Sequence, residues 1–273
     1  MKTIVIKYGG AVMQPPELMK AIMQDIAHLK SLGMNPIVVH GGGAEMSEIC
    51  TRMNIAPRFI EGLRITDRET MQIVQMVLVG KINKELIFYL NQAGVKAIGL
   101  SGQDSNLLLA TKFKHPSGID FGYVGEIIQV NPEILEVLVR AGYIPVIAPI
   151  AASQESLGFN INADSAAAHI AMAIQAGHLV FLTDVPGILD NPQDVTTKID
   201  MIEKYEVEAL LTSGKLSGGM IPKVRGALAA LKEGVEKVHI LDGRIPHSLL
   251  LHLQGTKLMG TTFYNPESIT SLQ

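Results

Sequence analysis

A chain of 273 residues with 47% hydrophobic and 18% charged residues and a formal net charge of -3 can build a sizeable core, which excludes a disordered polyelectrolyte. The lack of Trp, an aromatic content of 5% and the absence of any Lys/Arg run exclude a stacking or electrostatic surface for nucleic acid. Cys50 is the only cysteine, which excludes an intramolecular disulfide and a cysteine-built metal site and reads as a buried, inert thiol. Met1-Lys2-Thr3 runs straight into Ile4-Val5-Ile6 with no basic leader, and no uncharged apolar stretch reaches the roughly 18 to 20 residues that cross a bilayer. A cytoplasmic protein with no membrane contact is expected, its partners being small molecules and further copies of itself.

In chain order, Thr3 to Tyr8 reads as a strand, Glu17 to Leu32 as a helix, Pro36 to His40 as a strand and Ala44 to Met53 as a helix. Asp67 to Val79 and Ile82 to Ala93 have helical spacing, followed by a strand from Lys96 to Leu100. Leu107 to Val130 alternates like a pair of antiparallel strands, with a turn at His115-Pro116-Ser117-Gly118. Then come a helix from Pro132 to Ala141, a strand from Ile144 to Ile147, a helix from Asp164 to Ala176 and a strand from Leu179 to Thr183. Ile188 to Lys198, with Asp190-Asn191-Pro192, reads as an irregular loop or small ribbon. A helix from Pro222 to Glu233 and a strand from Lys237 to Leu241 follow.

The main strand candidates lack polar alternation, as strands buried on both faces do. Gly33, Gly94, Gly142, Gly177 and Gly234 each follow a helix, where a left-handed cap favours glycine. Asp67 and Asn162 are N-cap candidates. Alternating strands and helices predict an α/β fold with a mainly parallel central sheet and helices on both faces, as one domain with two lobes.

Ligands of an open parallel sheet bind beyond the carboxyl ends of its strands. There the sequence places Lys7-Tyr8-Gly9-Gly10, His40-Gly41-Gly42-Gly43 and Thr183-Asp184-Val185-Pro186-Gly187. A glycine triplet that opens a helix aims N–H groups and the positive end of a dipole at an anion. One such turn alone reads equally well as a tight connection; three on one rim point to a binding site. Lys7 ends an apolar strand, where an unpaired ammonium is costly; with Gly9-Gly10 following, it reads as a cation aimed at phosphate. In Ser217-Gly218-Gly219-Met220-Ile221-Pro222-Lys223, a flexible loop leads into a helix whose first turn projects Lys223. Asn160 and Asn162, two apart in an extended segment, share a face, and Asp164 opens the next helix.

Other signatures fail. Gly214-Lys215 is followed by Leu216 and lacks the upstream glycine of a P-loop, and Met46 breaks Gly-x-Gly-x-x-Gly. Asp120-Phe121-Gly122 stands without the catalytic-loop residues of a protein kinase.

Taken together, these segments resemble the amino acid kinase family. The carrying residues, in the family's order over nearly the whole chain, are Lys7-Tyr8-Gly9-Gly10, His40-Gly41-Gly42-Gly43, Gly62-Leu63-Arg64-Ile65-Thr66-Asp67, Asn160-Ile161-Asn162-Ala163-Asp164, Thr183 to Leu189 and Gly218-Gly219-Met220-Ile221-Pro222-Lys223. The second pair of motifs in common, Gly-Leu-Arg-x-Thr-Asp with Asn-x-Asn-Ala-Asp, resembles the members whose acceptor is N-acetyl-L-glutamate. The resemblance implies a three-layer αβα sandwich, with an N-terminal acceptor lobe at about residues 1–175 and a C-terminal ATP lobe at about 176–273. It implies phosphorylation of the acceptor's side-chain carboxylate in arginine biosynthesis, with ATP and Mg2+ and no protein residue as metal ligand.

Carried over residue by residue, Lys7 and Lys223 would bracket the transferring phosphoryl group and Asp164 would organise them. Arg64 would clamp the acceptor α-carboxylate, Gly42 and Gly43 would offer N–H groups, and Asn160 would touch the acceptor. Gly9 and Gly10, the stretch Asp184, Val185, Pro186, Gly187, Ile188 and Leu189, and Lys215, Leu216 and Ser217 would serve ATP. An acceptor carboxylate with a pKa of about 4.3 needs no general base; positioning and positive charge suffice. The rivals are a relative acting on an aminoadipate-type acceptor and a non-catalytic sensor on the same fold; Lys7, Lys223, Asp164 and Arg64 together argue against the sensor. Arginine-inhibited members of the family carry an extra N-terminal helix before the first strand, so an arginine-insensitive homodimer is expected, although His239 to Arg244 resembles the regulated relatives.

Overall fold

The computed structural model describes residues 2–13, 15–154, 158–216 and 218–269. Among these, nine strands form one sheet: β1 (Thr3–Tyr8), β2 (Asn35–His40), β3 (Ala97–Gly102), β4 (Ile144–Ala151), β5 (Phe159–Asn160), β6 (His178–Thr183), β7 (Met201–Glu203), β8 (Lys237–Asp242) and β9 (Gly260–Tyr264). Their spatial order is β7-β9-β8-β6-β1-β2-β4-β3, with β5 paired to the end of β4. All neighbours are parallel except β8 with β9 and β4 with β5. Apolar, β-branched residues fill β1 and β4, which are buried along nearly their whole length, because helices cover both faces of the sheet. Two buried clusters hold the layers together, one centred on Val5, Phe181 and the alanines of the helix after β5, the other on Ile4, Ile6, Met23 and Ile26.

The helices α1 (Pro16–Ser31), α2 (Gly43–Arg52), α3 (Arg68–Gln75), α4 (Asn83–Gln92), α5 (Glu133–Arg140), α6 (Ala163–Ala173), α7 (Lys204–Thr212), α8 (Met220–Lys232) and α9 (Ser248–Leu253) connect these strands. Asp67 caps α3 by accepting from the Thr70 amide, and Asn162 caps α6 by accepting from the Asp164 and Ser165 amides, as the sequence predicts. Gly33, Gly94, Gly142 and Gly234 adopt the left-handed conformation. Gly177 does not: α6 ends early and Gln175 takes the left-handed turn at φ 48°, its side-chain amide donating to the Met172 and Glu233 carbonyls at 2.7 and 3.0 Å.

A gap between two helices was expected around Gly80. Instead α3 and α4 are joined by a π-helical stretch, Met76–Ile82, whose wider turn keeps Val77, Leu78 and Ile82 buried. Leu108–Lys112 and Gly125–Val130 pair antiparallel, as the sequence predicts, and Ile188–Leu189 pairs with Lys198–Ile199, so that loop is a small ribbon. Asp120-Phe121-Gly122 is a turn, with the Gly122 amide on Asp120 Oδ1 at 2.8 Å and Phe121 buried. Cys50 is fully buried. Among the described residues, no helix is long and apolar enough to cross a membrane.

Chain order reverses around β1, which lies between β2 and β6. The registers Tyr8 opposite His40 and Tyr8 opposite Leu182 bring the carboxyl ends of the three strands to one rim, where open α/β sheets bind ligands.

Candidate active site

Three helix N-termini converge on this rim. Gly43 opens α2 directly after β2, Asp164 lies in the first turn of α6, and α8 begins at Met220 just before Lys223. The small side chains Ala166, Ala167, Ala168 and Ala171 are buried and let α6 pack closely on the sheet and on α8, which brings Asp164 against two lysines. Lys223 Nζ donates to Asp164 Oδ2 at 2.7 Å. Lys7 Nζ stands 2.8 Å from Asp164 Oδ1 as an ion pair without the alignment of a directed hydrogen bond.

All three side chains are about nine-tenths buried, at 10% to 11% exposure. Burial pushes the Asp164 carboxyl up, but the charges of Lys7 and Lys223 outweigh it and hold the pKa below the ordinary carboxylate value. One negative charge against two positive leaves a buried site with a net positive charge, suited to an anion.

On one side of this triad lies a cavity of about 210 Å³, lined by Lys7, Gly10, Gly41, Gly42, Gly43, Arg64, Asn160, Asn162 and Asp164 together with Met46, Phe59, Leu78, Val124 and Pro149. The turns approach so closely that a β-carbon on Gly10 would stand 3.2 Å from the amide nitrogens of both Gly42 and Gly43. Those nitrogens belong to the unpaired N–H groups that open a helix. Arg64 comes from a hairpin strand, Leu63–Arg64. Its Nη2 donates to the Gly43 carbonyl at 2.8 Å and to Ser47 Oγ at 2.7 Å, and its guanidinium lies 4.5 Å over the Phe59 ring. Burial lowers its pKa, yet a guanidinium stays charged in proteins. Nη1 is buried and has no hydrogen-bond partner among the described residues, a donor suited to a ligand carboxylate. Asn160 Nδ2 donates to Thr66 Oγ1 at 3.2 Å, whereas the Asn162 oxygen is committed to capping α6.

On the other side lies a cavity of about 430 Å³, lined by Thr183, Asp184, Val185, Pro186, Gly187, Ile188, Leu189, Lys215, Leu216, Gly219, Met220 and Lys223. Gly187 has φ 129°, and a β-carbon there would press on Thr261 Oγ1 at 2.6 Å, the atom that accepts from the Ile188 amide. Lys215 pairs with Asp190 across the loop. Lys7 therefore faces the first cavity, Lys223 the second, and Asp164 bridges them.

The predicted residues that the structure describes thus line two cavities linked by the Lys7–Asp164–Lys223 ion pairs, with two exceptions of placement. Gly10 lines the first cavity and not the second, and Gly9 lines neither; the Gly9 amide donates to Leu182 O at 3.2 Å and a β-carbon on it would stand 2.8 Å from that oxygen. Ser217 lies outside the described residues. Sequence reasoning missed Ser47 and Phe59, which hold Arg64, and the apolar wall of the first cavity. Nothing local marks these residues, because their roles arise only when α2 and the hairpin meet.

A sequence model of the amino acid kinase family matches residues 2–242. Acetylglutamate kinase from Symbiobacterium thermophilum is 50% identical over 265 residues, covering 95% of this chain and 90% of that protein. Acetylglutamate kinase from Desulfitobacterium hafniense is 49% identical over 270 residues, covering 96% and 91%. Among solved structures, N-acetylglutamate synthase from Neisseria gonorrhoeae, complexed with coenzyme A and N-acetyl-glutamate, superposes with a TM-score of 0.85 at 26% identity; the match covers 97% of this chain but only 59% of the synthase chain. Carbamate kinase from Giardia lamblia bound to AMP-PNP has the same fold, with a TM-score of 0.72 at 16% identity, covering 97% of this chain and 98% of that one. With the match spanning most of the chain and the glycine turns, lysines and Asp164 gathered on one rim, this chain belongs to the amino acid kinase family.

Proposed function

We propose that this protein transfers the γ-phosphoryl group of ATP to the side-chain carboxylate of N-acetyl-L-glutamate, giving N-acetyl-L-glutamyl 5-phosphate and ADP in arginine biosynthesis. The observation that carries this reading is the Asp164 bridge between Lys7 in one cavity and Lys223 in the other. The choice of acceptor is supported by relatives about half identical over nearly the whole chain that are named acetylglutamate kinase.

The acceptor occupies the smaller cavity, its α-carboxylate on Arg64 and its acetamido group near Asn160. ATP occupies the larger cavity, with its terminal phosphate toward Lys223. A γ-carboxylate with a pKa of about 4.3 is ionised at neutral pH, so no residue has to remove a proton. One carboxylate oxygen attacks the γ-phosphorus as the bond to the β,γ-bridging oxygen breaks, and ADP leaves with that electron pair. The difficulty is bringing two anions together. Lys7, Lys223 and the Gly42 and Gly43 N–H groups supply positive charge where it accumulates, and the rigid rim supplies alignment. Asp164 holds the two ammonium groups apart from each other and in place, because each is fixed to its own oxygen.

Both Asp164 oxygens are taken by lysines, and no group of three or more His, Cys, Asp or Glu side chains among the described residues could hold a metal ion. Mg2+ would enter with ATP, and no side chain of this chain is assigned to hold it. Its chemistry there would be to offset phosphate charge, beside Lys7 and Lys223.

We infer a single domain whose acceptor lobe is the N-terminal part, about residues 1–175, and whose ATP lobe is about residues 176–273. We further infer a cytoplasmic homodimer; the edge strand β3 and the exposed Phe88 of the adjacent α4 support the placing of a second copy there. Trapping with hydroxylamine in the presence of ATP and magnesium tests the function. Hydroxamate from N-acetyl-L-glutamate, with little from glutamate or N-acetyl-aminoadipate, is expected. A preference for N-acetyl-aminoadipate would move the pathway, and no product from any acceptor would overturn the assignment.

A further inference from the structure

His40, directly before the glycine triplet, is fully buried, as is Asn83 at the start of α4. His40 Nδ1 lies 2.9 Å from the Gly41 carbonyl oxygen. A carbonyl can only accept, so Nδ1 carries the proton. His40 Nε2 lies 3.2 Å from Asn83 Nδ2, and that nitrogen also donates to the Val146 carbonyl at 2.9 Å and faces the Leu100 carbonyl at 3.4 Å. The Val146 carbonyl fixes that end of the Asn83 amide as nitrogen and takes one N–H; the other is shared between the longer contacts to Leu100 O and His40 Nε2, and Nε2, with the proton on Nδ1, accepts. Gly99 makes room for this arrangement, since a β-carbon there would collide with Asn83 Oδ1.

The consequence falls on the anion-binding loop. In a trans peptide the N–H points opposite to the C=O. Turning the Gly41 oxygen in toward His40 turns the Gly42 N–H out toward Gly10, where a β-carbon would stand 3.2 Å from the Gly42 nitrogen. The neighbouring groups are fixed as well: the Gly41 amide donates to Tyr8 O at 2.9 Å, and Gly42 O accepts from the Met46 amide at 2.9 Å. From behind, the π-helical stretch presses Leu78 and Ile82 on the loop, where a β-carbon on Gly42 would collide with Ile82 Cδ1 and stand 2.7 Å from Leu78 Cδ2. The same stretch delivers Asn83 to His40, in keeping with the frequent placement of π-bulges at functional sites.

We propose that His40, locked by Asn83 as its Nδ1–H tautomer, is a positioning residue that holds the Gly41–Gly42 peptide so that the Gly42 N–H faces the transferring phosphoryl group. This deepens, and rests on, the phosphoryl-transfer reading. His40 touches neither substrate; it acts through one peptide group. Replacing it by leucine removes the donor to Gly41 O while leaving Asn83 its carbonyl partners, and replacing it by asparagine offers an Nδ2–H in the place of Nδ1–H.

In the hydroxamate assay, His40→Leu is expected to lower kcat about 10²-fold with the KM for ATP changed less than about threefold, and His40→Asn to recover to within about tenfold of wild type. A His40→Leu enzyme with wild-type kcat, or a His40→Asn enzyme no better than His40→Leu, would overturn the proposal. Long-range 1H–15N spectra of the ligand-free wild-type protein read the tautomer without any substrate. Protonated Nδ1 with bare Nε2 is expected, and protonated Nε2 overturns the positioning role whichever acceptor the wild type uses. Failure of the wild type to phosphorylate N-acetyl-L-glutamate would instead be a failure of the functional reading.

Discussion

Lys7 and Lys223, from opposite ends of the chain, hold the two oxygens of one carboxylate, that of Asp164, at 2.8 and 2.7 Å. Two buried ammonium groups this close together repel each other; the shared counter-ion is what makes the pair stable, and their shared excess of positive charge is what makes it useful. The first lysine faces the smaller cavity and the second the larger, so the two are not equivalent. Lys7→Ala is expected to lower kcat by about 10³ with little change in the KM for ATP, whereas Lys223→Ala lowers kcat and raises that KM as well. Steady-state kinetics with ATP varied at saturating acceptor separate the two. The same KM for ATP in both variants would contradict the division of the site.

Asp164→Asn keeps the shape and removes the charge, leaving two buried cations with one neutral neighbour. Breaking a buried ion pair from one side costs about 3 to 5 kcal/mol, and we expect a loss at the lower end because the asparagine oxygen still accepts one hydrogen bond. Urea unfolding at neutral pH measures it, and kcat is expected to fall at least about 10²-fold in the same protein. A variant as stable and as fast as wild type would remove Asp164 from the account.

Arg64 offers a planar pair of donors that a lysine cannot reproduce. It is held by Gly43 O, Ser47 Oγ and the Phe59 ring and not by Asp164. Arg64→Lys is therefore expected to raise the KM for N-acetyl-L-glutamate about 10²-fold and to change kcat by less than about tenfold, the pattern of lost ground-state binding. Acceptor titrations at saturating ATP test this. An effect on kcat alone would place Arg64 at the reacting centre and not at the remote carboxylate.

Acid stability draws on buried His40, which burial lowers to about 4, and on a second, largely buried histidine cluster carried by β6, β8 and α9. His178 Nδ1 and His239 Nε2 are 3.0 Å apart, and His239 Nδ1 lies 3.0 Å from both His252 Nε2 and Thr262 Oγ1. Burial, with nearby Lys237, Lys2 and Lys198 adding to it, pushes His178 and His252 from 6.5 down to about 4, and His239 is lowered too. Here the unfolded chain takes up protons before the folded one. The folded state is therefore unaffected above about pH 6.5 and loses stability as the pH falls from there toward 4, by up to about 1.4 kcal/mol per pH unit for each histidine. Asp164 has the other sign of shift, with a lowered carboxylate pKa; its contribution is present above its unfolded value of about 3.9 and is lost only as the pH falls through the folded value below that. Urea midpoints between pH 7 and 4.5 are expected to report uptake of more than one proton on unfolding. A flat profile over that range would contradict the neutral cluster.

Much of this was legible in the sequence because it is local. The apolar strands, the capping residues Asp67 and Asn162, and the turns at Gly9-Gly10 and Gly41-Gly42-Gly43 each carry their signal within a few residues. Lys7 stood out because an ammonium at the end of an apolar strand requires a partner. That its partner is Asp164, shared with Lys223, depends on α6 packing against both the sheet and α8, which chemistry within a short window does not reveal; there the family resemblance did the work. The strands Met201–Glu203 and Gly260–Tyr264 were missed because the first is short and the second, Gly-Thr-Thr-Phe-Tyr, becomes a strand by pairing antiparallel with β8. The π-helical stretch was missed because Gly80 interrupts the apolar period, while packing of Leu78 and Ile82 on Gly42 keeps the helix continuous. Gln175 took the left-handed turn expected of Gly177 through its own amide contacts, a side-chain solution that no glycine rule anticipates.

The stereochemistry of the transfer tests the central claim most directly. With ATP made chiral at the γ-phosphorus by oxygen isotopes and sulfur, and N-acetyl-L-glutamate as acceptor, a single in-line displacement across the Lys7, Asp164 and Lys223 bridge predicts inversion at phosphorus in the acyl phosphate. Retention would mean that the phosphoryl group first rests on the enzyme, and it would contradict direct transfer between the two cavities.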